Sequence, residues 1–412
     1  MLGTTAQQHD MTDTKYKHTE LGPIPQHWEL RQWQYLLQEN VTTNTDCKET
    51  HQLQFKYGDI VSKVNQEVDA DTLKIISKYT KVQPNDIMIN GLNLNYDFIS
   101  QRIGMVRTNG IITSAYISLR PTEEANPSYY NYLLKAMDAQ KMFHGMGTGV
   151  RLTLSYKELK NKYLPFPPLD EQEAMVAYLD EQTVQIDSAI AREQKMIDLL
   201  EERKQIIIQQ AVTKGLNPNA PMKDSGIEWI GKIPEGWEVR KLKYIGKLQS
   251  GDTINSDYFT ESGYPVYGGN GFRGYTDRYT NDGDFVLIGR QGALCGNVNY
   301  ASGKFFASEH AIVVHPKCRN ENITWLGNAI KASNLNQYSQ SAAQPGLAVS
   351  MIQNISYPFP PEEEREQIGG YIAKVITEID KATKPIEKLI FLLQERKQII
   401  INEVVTGKIK VS

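Results

Sequence analysis

The chain has 412 residues, 40% of them apolar and 23% charged, a formal net charge of −3, and three cysteines, Cys47, Cys295 and Cys318. Its length predicts two or more domains, at about 100–200 residues each. No apolar run approaches the ~18 residues of a membrane span, and the cysteines lack CxxC spacing, which argues against a zinc site or disulfide scaffold and for a reducing cytoplasm. A pI near 6.2 excludes a strongly basic, free-standing nucleic-acid binder. Local Arg and Lys placement, or a partner subunit, would have to supply the field at any DNA groove.

Residues 1–20 read as a flexible lead-in without the apolar core of a signal peptide. A variable segment follows, residues 21–165. Strand-like runs at Asp86–Asn90 and Ile111–Leu119 alternate with turn-rich stretches, which predicts a small irregular sheet. Two of its loops, "NGLNLNYDFISQR" (Asn90–Arg102) and "HGMGTGVR" (His144–Arg151), are rich in Asn, Gln, Arg and Gly.

Residues 166–215 predict one long helix. Pro167-Pro168 ends what precedes it, and Pro is tolerated at a helix start. Asp170, Glu171 and Glu173 put negative charge on the first turn, as the macrodipole favours. Neither Gly nor Pro then interrupts the chain until Gly215, a natural C-cap. Apolar residues recur at steps of three and four: Val176, Leu179, Ile186, Ile190, Ile197, Leu200, Ile207, Ala211. That is the a/d seam of a coiled coil. About 45 residues would span roughly 65–70 Å.

The second variable segment, residues 216–358, carries strand-like runs at Asp284–Ile288 and Ala311–Val314. Its loops are "YGGNGFRGYTDR" (Tyr267–Arg278), "GRQGALCGN" (Gly289–Asn297) and "SQSAAQPG" (Ser339–Gly346). Residues 359–412 predict a second long helix, with Ile372, Ile376, Ile379, Ile386, Ile390, Leu393, Ile400 and Val404 on its seam. Pro385 lies within it and should kink or break it.

The two helical segments are copies. "LLEERKQIII" (Leu199–Ile208) becomes "LLQERKQIII" (Leu392–Ile401) at a constant offset of 193 (395 − 202), which holds without a gap from Pro165 to Thr213. "LGPIPQHWEL" (Leu21–Leu30) matches "IGKIPEGWEV" (Ile230–Val239) at an offset of 209 (237 − 28). Between these edges the variable segments resemble each other faintly. "PNDIMING" pairs with "DGDFVLIG", and "ITSAYISLRP" with "ASEHAIVVHP". Two copies make an internal pseudo-dimer rather than a solenoid. Neither helix buries a full stripe alone, so they should pack on each other, antiparallel, with one variable domain near each end. Lys204 and Lys397 fall on a-type positions, where they either fix the register or snorkel along an exposed stretch.

The loops carry residue types that read DNA. Arg reads guanine, Asn and Gln read adenine, and glycines admit backbone close to phosphate. The candidate contacts are Asn90, Asn93, Asn95, Tyr96, Gln101, Arg102, His144, Thr148 and Arg151 in the first segment. In the second they are Tyr267, Asn270, Phe272, Arg273, Tyr275, Arg290, Gln291, Ser341 and Gln344. Any one such loop, taken alone, reads more readily as a plain turn. Their recurrence on two parallel segments favours DNA. No GxxxxGK[ST], GxGxxG, HExxH or GxSxG motif occurs. A nuclease using Asp86, Asp282 and Asp284, and a coiled-coil adaptor without a DNA role, are the competing readings. Glu309 with His310 is acid–base chemistry at most as a lone pair.

The combination resembles the specificity subunit of type I restriction–modification systems. The resemblance rests on "GIEWIGKIPEGWEV" (Gly226–Val239) and its weaker copy at Leu21–Leu30, and on "PFPP" followed by Glu171-Gln172 and Glu366-Gln367. It rests also on the paired helix ends and on "PVYGGNGFRGY", "LIGRQGALCGNV" and "AQPGL". It implies an α+β chain: two mixed target-recognition domains separated by two long helices packed as an antiparallel, pseudo-two-fold coiled coil. Each domain would read half of a bipartite, asymmetric site in double-stranded DNA. The helices would set the separation and dock two methyltransferase subunits, with restriction/translocase subunits joining. The resemblance assigns spacing and docking to Ile186, Ile190, Ile197, Leu200, Arg203, Lys204, Ile379, Ile386, Leu393, Arg396, Lys397 and Ile400. It gives this chain no catalytic role, no metal and no cofactor. S-adenosylmethionine would belong to the methyltransferase, and ATP and Mg to the restriction subunit.

Overall fold

The computed structural model describes residues 15–64, 69–94, 101–150, 152–292, 294–318, 321–339 and 346–411. The fold is α+β, and the chain forms two compact units that cut across the linear segments. Unit 1 comprises residues 1–192 and 389–412, and unit 2 residues 193–388. Each unit therefore joins one variable segment to parts of both long helices.

In unit 1, strands Leu37–Glu39, Ile117–Pro121, Ile87–Ile89 and Ile103–Met105 form an antiparallel sheet in that order. A second β layer holds the hairpin Leu53–Lys56/Asp59–Ser62 and the pair Thr80–Val82/Gly110–Ile112, bridged in parallel from Gln52 to Ile111. Helix Pro127–Ala139, capped by the Asn126 side chain, packs on the strand Ile103–Met105. The main core gathers Trp28, Trp33, Tyr129, Tyr130 and Leu133. Residues 15–20 belong to the fold rather than to the lead-in, because Tyr16–Thr19 pairs with Gly22–Pro25. The run expected as one strand at Ile111–Leu119 is two, Gly110–Ile112 and Ile117–Pro121, parted by a turn.

Unit 2 repeats this order. Strands Gly246–Ser250, Ala311–Pro316, Phe285–Gly289 and Val298–Ala301 form the antiparallel sheet. The second layer holds the hairpin Tyr264–Gly268/Gly271–Thr276 and the pair Asn281–Asp282/Lys304–Ala307, with Tyr264–Gly268 parallel to Lys304–Ala307. Helix Ile323–Ala332 is capped by Asn322. The faint sequence matches are thus real equivalences: Ile87–Ile89 and Phe285–Gly289 hold one position in the sheet, Ile117–Pro121 and Ala311–Pro316 another.

The long helices are Leu169–Lys214 and Glu362–Val405. In unit 1 the start of the first (Met175, Leu179) and the end of the second (Ile401, Val404, Val405) enter one core. In unit 2 the end of the first (Ile208, Ala211, Val212) meets the start of the second (Ile368, Ile372). That is antiparallel pairing. Its seam carries two cross-helix ion pairs, Lys397–Asp187 at 2.7 Å in unit 1 and Lys204–Asp380 at 3.5 Å in unit 2. These are one contact made twice, since 204 + 193 = 397 and 187 + 193 = 380. The a-position lysines do not snorkel alone; each meets an aspartate of the other helix within its own unit.

The helix ends repeat as well. Trp28 Nε1 donates to Glu171 and Trp237 Nε1 to Glu364, both at 2.8 Å, so each buried indole ties a domain edge to a helix start. Gly215 and Gly407 terminate the helices with φ of +74° and +70°; a Cβ would crowd Trp237 at 3.0 Å in the first and strike Pro25 and Trp28 at 2.5 and 2.8 Å in the second. Glycine is required twice over, by the left-handed turn and by the close approach. Pro385 does not break its helix. It is exposed, as is Lys381, whose carbonyl loses its amide partner on the solvent side of the helix.

Candidate nucleic-acid interface

The predicted loops of unit 2 converge. Gly269, Asn270, Gly271, Phe272, Arg273, Gln291, Gly292, Leu294 and His310 line one open concavity of about 470 Å³. Its geometry follows from the hairpin. The register slips between Val266 and Tyr267, so Tyr267 faces Phe272 while Val266 faces Gly274, and Arg273 is the extra residue of a β-bulge. Bulges re-aim side chains. Arg273 is turned across Gly268, where a Cβ would lie 2.5 Å from its Cδ, and its guanidinium sits 5.7 Å from the Phe259 ring. His310 holds Gln291 Oε1 through Nδ1 at 3.1 Å, and Glu309 lies 3.1 Å from His310 Nε2. Asn297 donates to Asn270 Oδ1 at 3.3 Å. Elsewhere in the same layer of unit 2, Arg278 lies 4.5 Å from the Tyr258 ring and Lys304 4.7 Å from the Tyr279 ring. A surface of exposed cations held against aromatic rings offers phosphate contacts and stacking faces together.

The other predictions for unit 2 divide. Tyr275 is exposed and packs edge-on to Phe272 at 5.0 Å. Tyr267 is half-buried against Phe305 and belongs to a core cluster. Arg290 is half-buried, and its backbone carbonyl fixes Leu347 N–H and the Cys295 thiol. Ser341 and Gln344 lie outside the described residues.

In unit 1 the picture differs. Arg102 is buried rather than presented. Its guanidinium donates to the carbonyls of Asn90, Leu92 and Asn93 at 2.9, 2.7 and 3.2 Å, holding that loop from inside. Its amide donates to Asp138, whose carboxyl burial pushes above the usual carboxylate range. Asn90 caps the turn by accepting from Leu92 N–H at 3.2 Å. Asn93 and Gln101 are exposed, and Gln101 lies over Gly58 at a hairpin tip. Thr148 is exposed in a small bridge to Thr153, and His144 is half-buried in a single 3₁₀ turn. Asn95, Tyr96 and Arg151 lie outside the described residues.

On the spine, Ile186 and Ile379 are buried, and Ile190, Ile197, Leu200, Lys204, Ile386, Leu393, Lys397 and Ile400 are half-buried on the seam. Arg203 and Arg396 are exposed. A second apolar stripe escaped the heptad reading. Met196, Leu199 and Ile206, and their copies Leu389, Leu392 and Ile399 at the same offset of 193, are all exposed. The signal was apolar character repeated at positions that the seam does not use.

The carboxylates of the nuclease reading are occupied or dispersed. Asp86 is buried and clasped by Arg120 through Nε and Nη2 at 2.9 and 2.8 Å, and Asp284 accepts from Ser302. Among the described residues no three His, Cys, Asp or Glu side chains come together to hold a metal, and no helix is long and apolar enough to cross a membrane.

The family model for the type I restriction modification DNA specificity domain matches twice, over residues 98–201 and 234–389. The chain belongs to this family. The EcoprrI specificity subunit of Escherichia coli is 41% identical over 155 residues, 36% of this chain and 37% of that one. The putative MjaX specificity subunit of Methanocaldococcus jannaschii is 24% identical over 428 residues, 97% of each chain. A solved chain from a study of complex assembly and conformational transition in the type I R-M system superposes with a TM-score of 0.68 at 15% identity, covering 94% of this chain and 99% of that one. That similarity is one of fold. The specificity-domain matches fall over both variable segments and both spine helices, the parts duplicated in this sequence.

Proposed function

We propose that this chain is the non-catalytic DNA-specificity subunit of a cytoplasmic type I restriction–modification complex, in which each unit reads one half of a bipartite, asymmetric site. The observation that carries the reading is one strand order built twice, with dissimilar loops on a duplicated antiparallel spine. Identical readers would specify a palindrome; dissimilar ones on a common scaffold specify two different half-sites. The spine fixes the spacing between them. Its exposed stripes, Met196/Leu199/Ile206 and Leu389/Leu392/Ile399, dock two methyltransferase subunits, one per copy. Those subunits bind S-adenosylmethionine and methylate adenine. Restriction subunits, with ATP and Mg, join the same assembly.

The test is filter binding of the reconstituted complex against single-base variants of a site mapped from methylated adenines in the source genome. Arg273→Ala is expected to lose roughly 1–3 kcal/mol of discrimination at one guanine of one half-site and nothing at the other. Equal loss on every sequence would make Arg273 a phosphate contact. Sustained DNA cleavage by the isolated chain with Mg²⁺ would overturn the reading.

A further inference from the structure

Each unit exposes an aromatic side chain at or beside the tip of the same hairpin. In unit 1 the turn joining Leu53–Lys56 to Asp59–Ser62 is Tyr57-Gly58, with φ of +49° and +82°. Two-residue hairpin turns with both central residues at positive φ favour Asn-Gly, because the left-handed region penalises an ordinary L side chain. Tyrosine occupies the asparagine position here. Its ring is 76% exposed and has no hydrogen-bond or ring partner among the described residues. Packing therefore does not compensate the backbone penalty, and an unexplained left-handed residue at an exposed tip points to a role outside the fold.

The topologically equivalent hairpin of unit 2, Tyr264–Gly268/Gly271–Thr276, turns through Gly269-Asn270 and presents Phe272, 54% exposed, next to the bulged Arg273. The two sequences are unrelated, yet each exposes a ring at or just past the tip: Tyr57 in the turn itself, and Phe272 at the start of the returning strand, packed edge-on to Tyr275 and Tyr267 at 5.0 and 6.5 Å. In both, a candidate base-reading side chain lies across a hairpin glycine close by: Gln101 over Gly58 and Arg273 over Gly268.

We propose that Tyr57 and Phe272 are wedges. Each hairpin enters a groove of the duplex, and its ring unstacks one base step within the half-site that its unit reads. The inference rests on the DNA-specificity function proposed above. Apolar side chains inserted between base steps are an established way to deform DNA, and the loss of stacking is offset by the surface the deformation brings into contact. Here the deformation has a further use. Enzymes that act on a base take it out of the stack, and a step already loosened lowers that barrier for the partner's adenine chemistry. Gln101 and Arg273 then read base edges next to the opened step.

The experiment uses the complex of this chain with its methyltransferase subunits and a duplex bearing the mapped site, with 2-aminopurine substituted one position at a time through both half-sites. The wild-type complex is expected to raise fluorescence several-fold at one step in each half-site. Tyr57→Asn should abolish the rise in unit 1's half-site alone and weaken specific binding roughly tenfold, while the melting temperature of the protein holds or rises, since asparagine suits the turn. Phe272→Ala should do the same to the other half-site. Wild-type complex that binds its site selectively with no change in fluorescence would overturn the wedge and leave the specificity function standing. So would a Tyr57→Asn complex that retains the full signal. Wild-type complex without sequence preference would refute the specificity function, and the wedge with it.

Discussion

Unit 1 secures the start of its spine helix with Gln172, and unit 2 does so with Arg365, at the equivalent position. The buried Gln172 amide donates to the carbonyls of Pro167 and Glu124 at 2.9 and 3.3 Å and accepts from Asn126 N–H at 2.8 Å. Arg365 donates to the Pro360 carbonyl at 2.7 Å and to Glu321 at 2.6 Å, with its guanidinium 4.3 Å from the Phe359 ring. Opposite Gln172 stands Ala125; opposite Arg365 stands Glu321, both just before the asparagine that caps the domain helix. The position demands a donor to a proline carbonyl. Whether a neutral amide or an ion pair supplies it depends on one neighbour. Copies of a scaffold thus drift by coupled changes while the geometry they serve stays fixed.

This contrast yields the largest expected effect. Burial pushes the Glu321 carboxyl up, against the pull of Arg365. Arg365→Ala would leave that carboxylate buried and unpaired, at a cost of about 3–5 kcal/mol. Gln172→Ala strands only neutral groups and should cost about 1–3 kcal/mol. Urea unfolding followed by tryptophan emission measures both. The coupled replacement Glu321→Ala with Arg365→Gln, which copies unit 1 into unit 2, should recover most of the loss. If Arg365→Ala costs no more than Gln172→Ala, or the double variant recovers nothing, the coupling is wrong.

The legible parts of the molecule were those written twice. The spine helices, the Gly215 cap and the equivalence of Asp86–Asn90 with Asp284–Ile288 all followed from repetition and period. What escaped depended on distance in sequence or on direction in space. The turn inside Ile111–Leu119, "TSAY", has no Gly or Pro to announce it. Arg102 looked like a reader because a loop arginine usually faces water; only the folded loop shows three carbonyls converging on it. The compact units were hidden because the helix that completes unit 1 arrives at residue 389. The concavity of unit 2 was partly visible as "GGNGFRG", but the bulge that turns Arg273 across Gly268 is a register effect that composition does not encode.

The seam offers a middle-sized test of the same equivalence between the units. Lys397–Asp187 and Lys204–Asp380 are partly exposed pairs, each worth roughly 0.2–1 kcal/mol. Their use is in register rather than strength, since sliding one helix along the other within a unit would part that unit's pair. Lys397→Ala and Lys204→Ala should each cost that small amount, less in high salt, and the double variant should cost their sum. A much larger cost for Lys204 than for Lys397 would show that the two seam contacts are not equivalent.

The smallest effect separates the central strands of the two sheets. At the position where unit 1 has Arg120, clasping the buried Asp86, unit 2 has His315, which lies 4.9 Å from the Phe285 ring. Its buried Nε2 has no hydrogen-bond partner among the described residues. Burial first, and then Lys247 across the strand pair, lower the His315 pKa below the usual imidazole value. A histidine whose folded pKa is depressed contributes stability above its unfolded pKa, near 6.5, and loses it as the pH falls through the folded value. Unit 2 should therefore lose melting temperature as the pH drops below about 6.5. Thermal melts from neutral into mildly acidic buffer test this with His315→Gln, in which the slope should flatten. A slope that survives His315→Gln would assign the acid sensitivity to other groups and remove the charge of this strand from the account of how the two units differ.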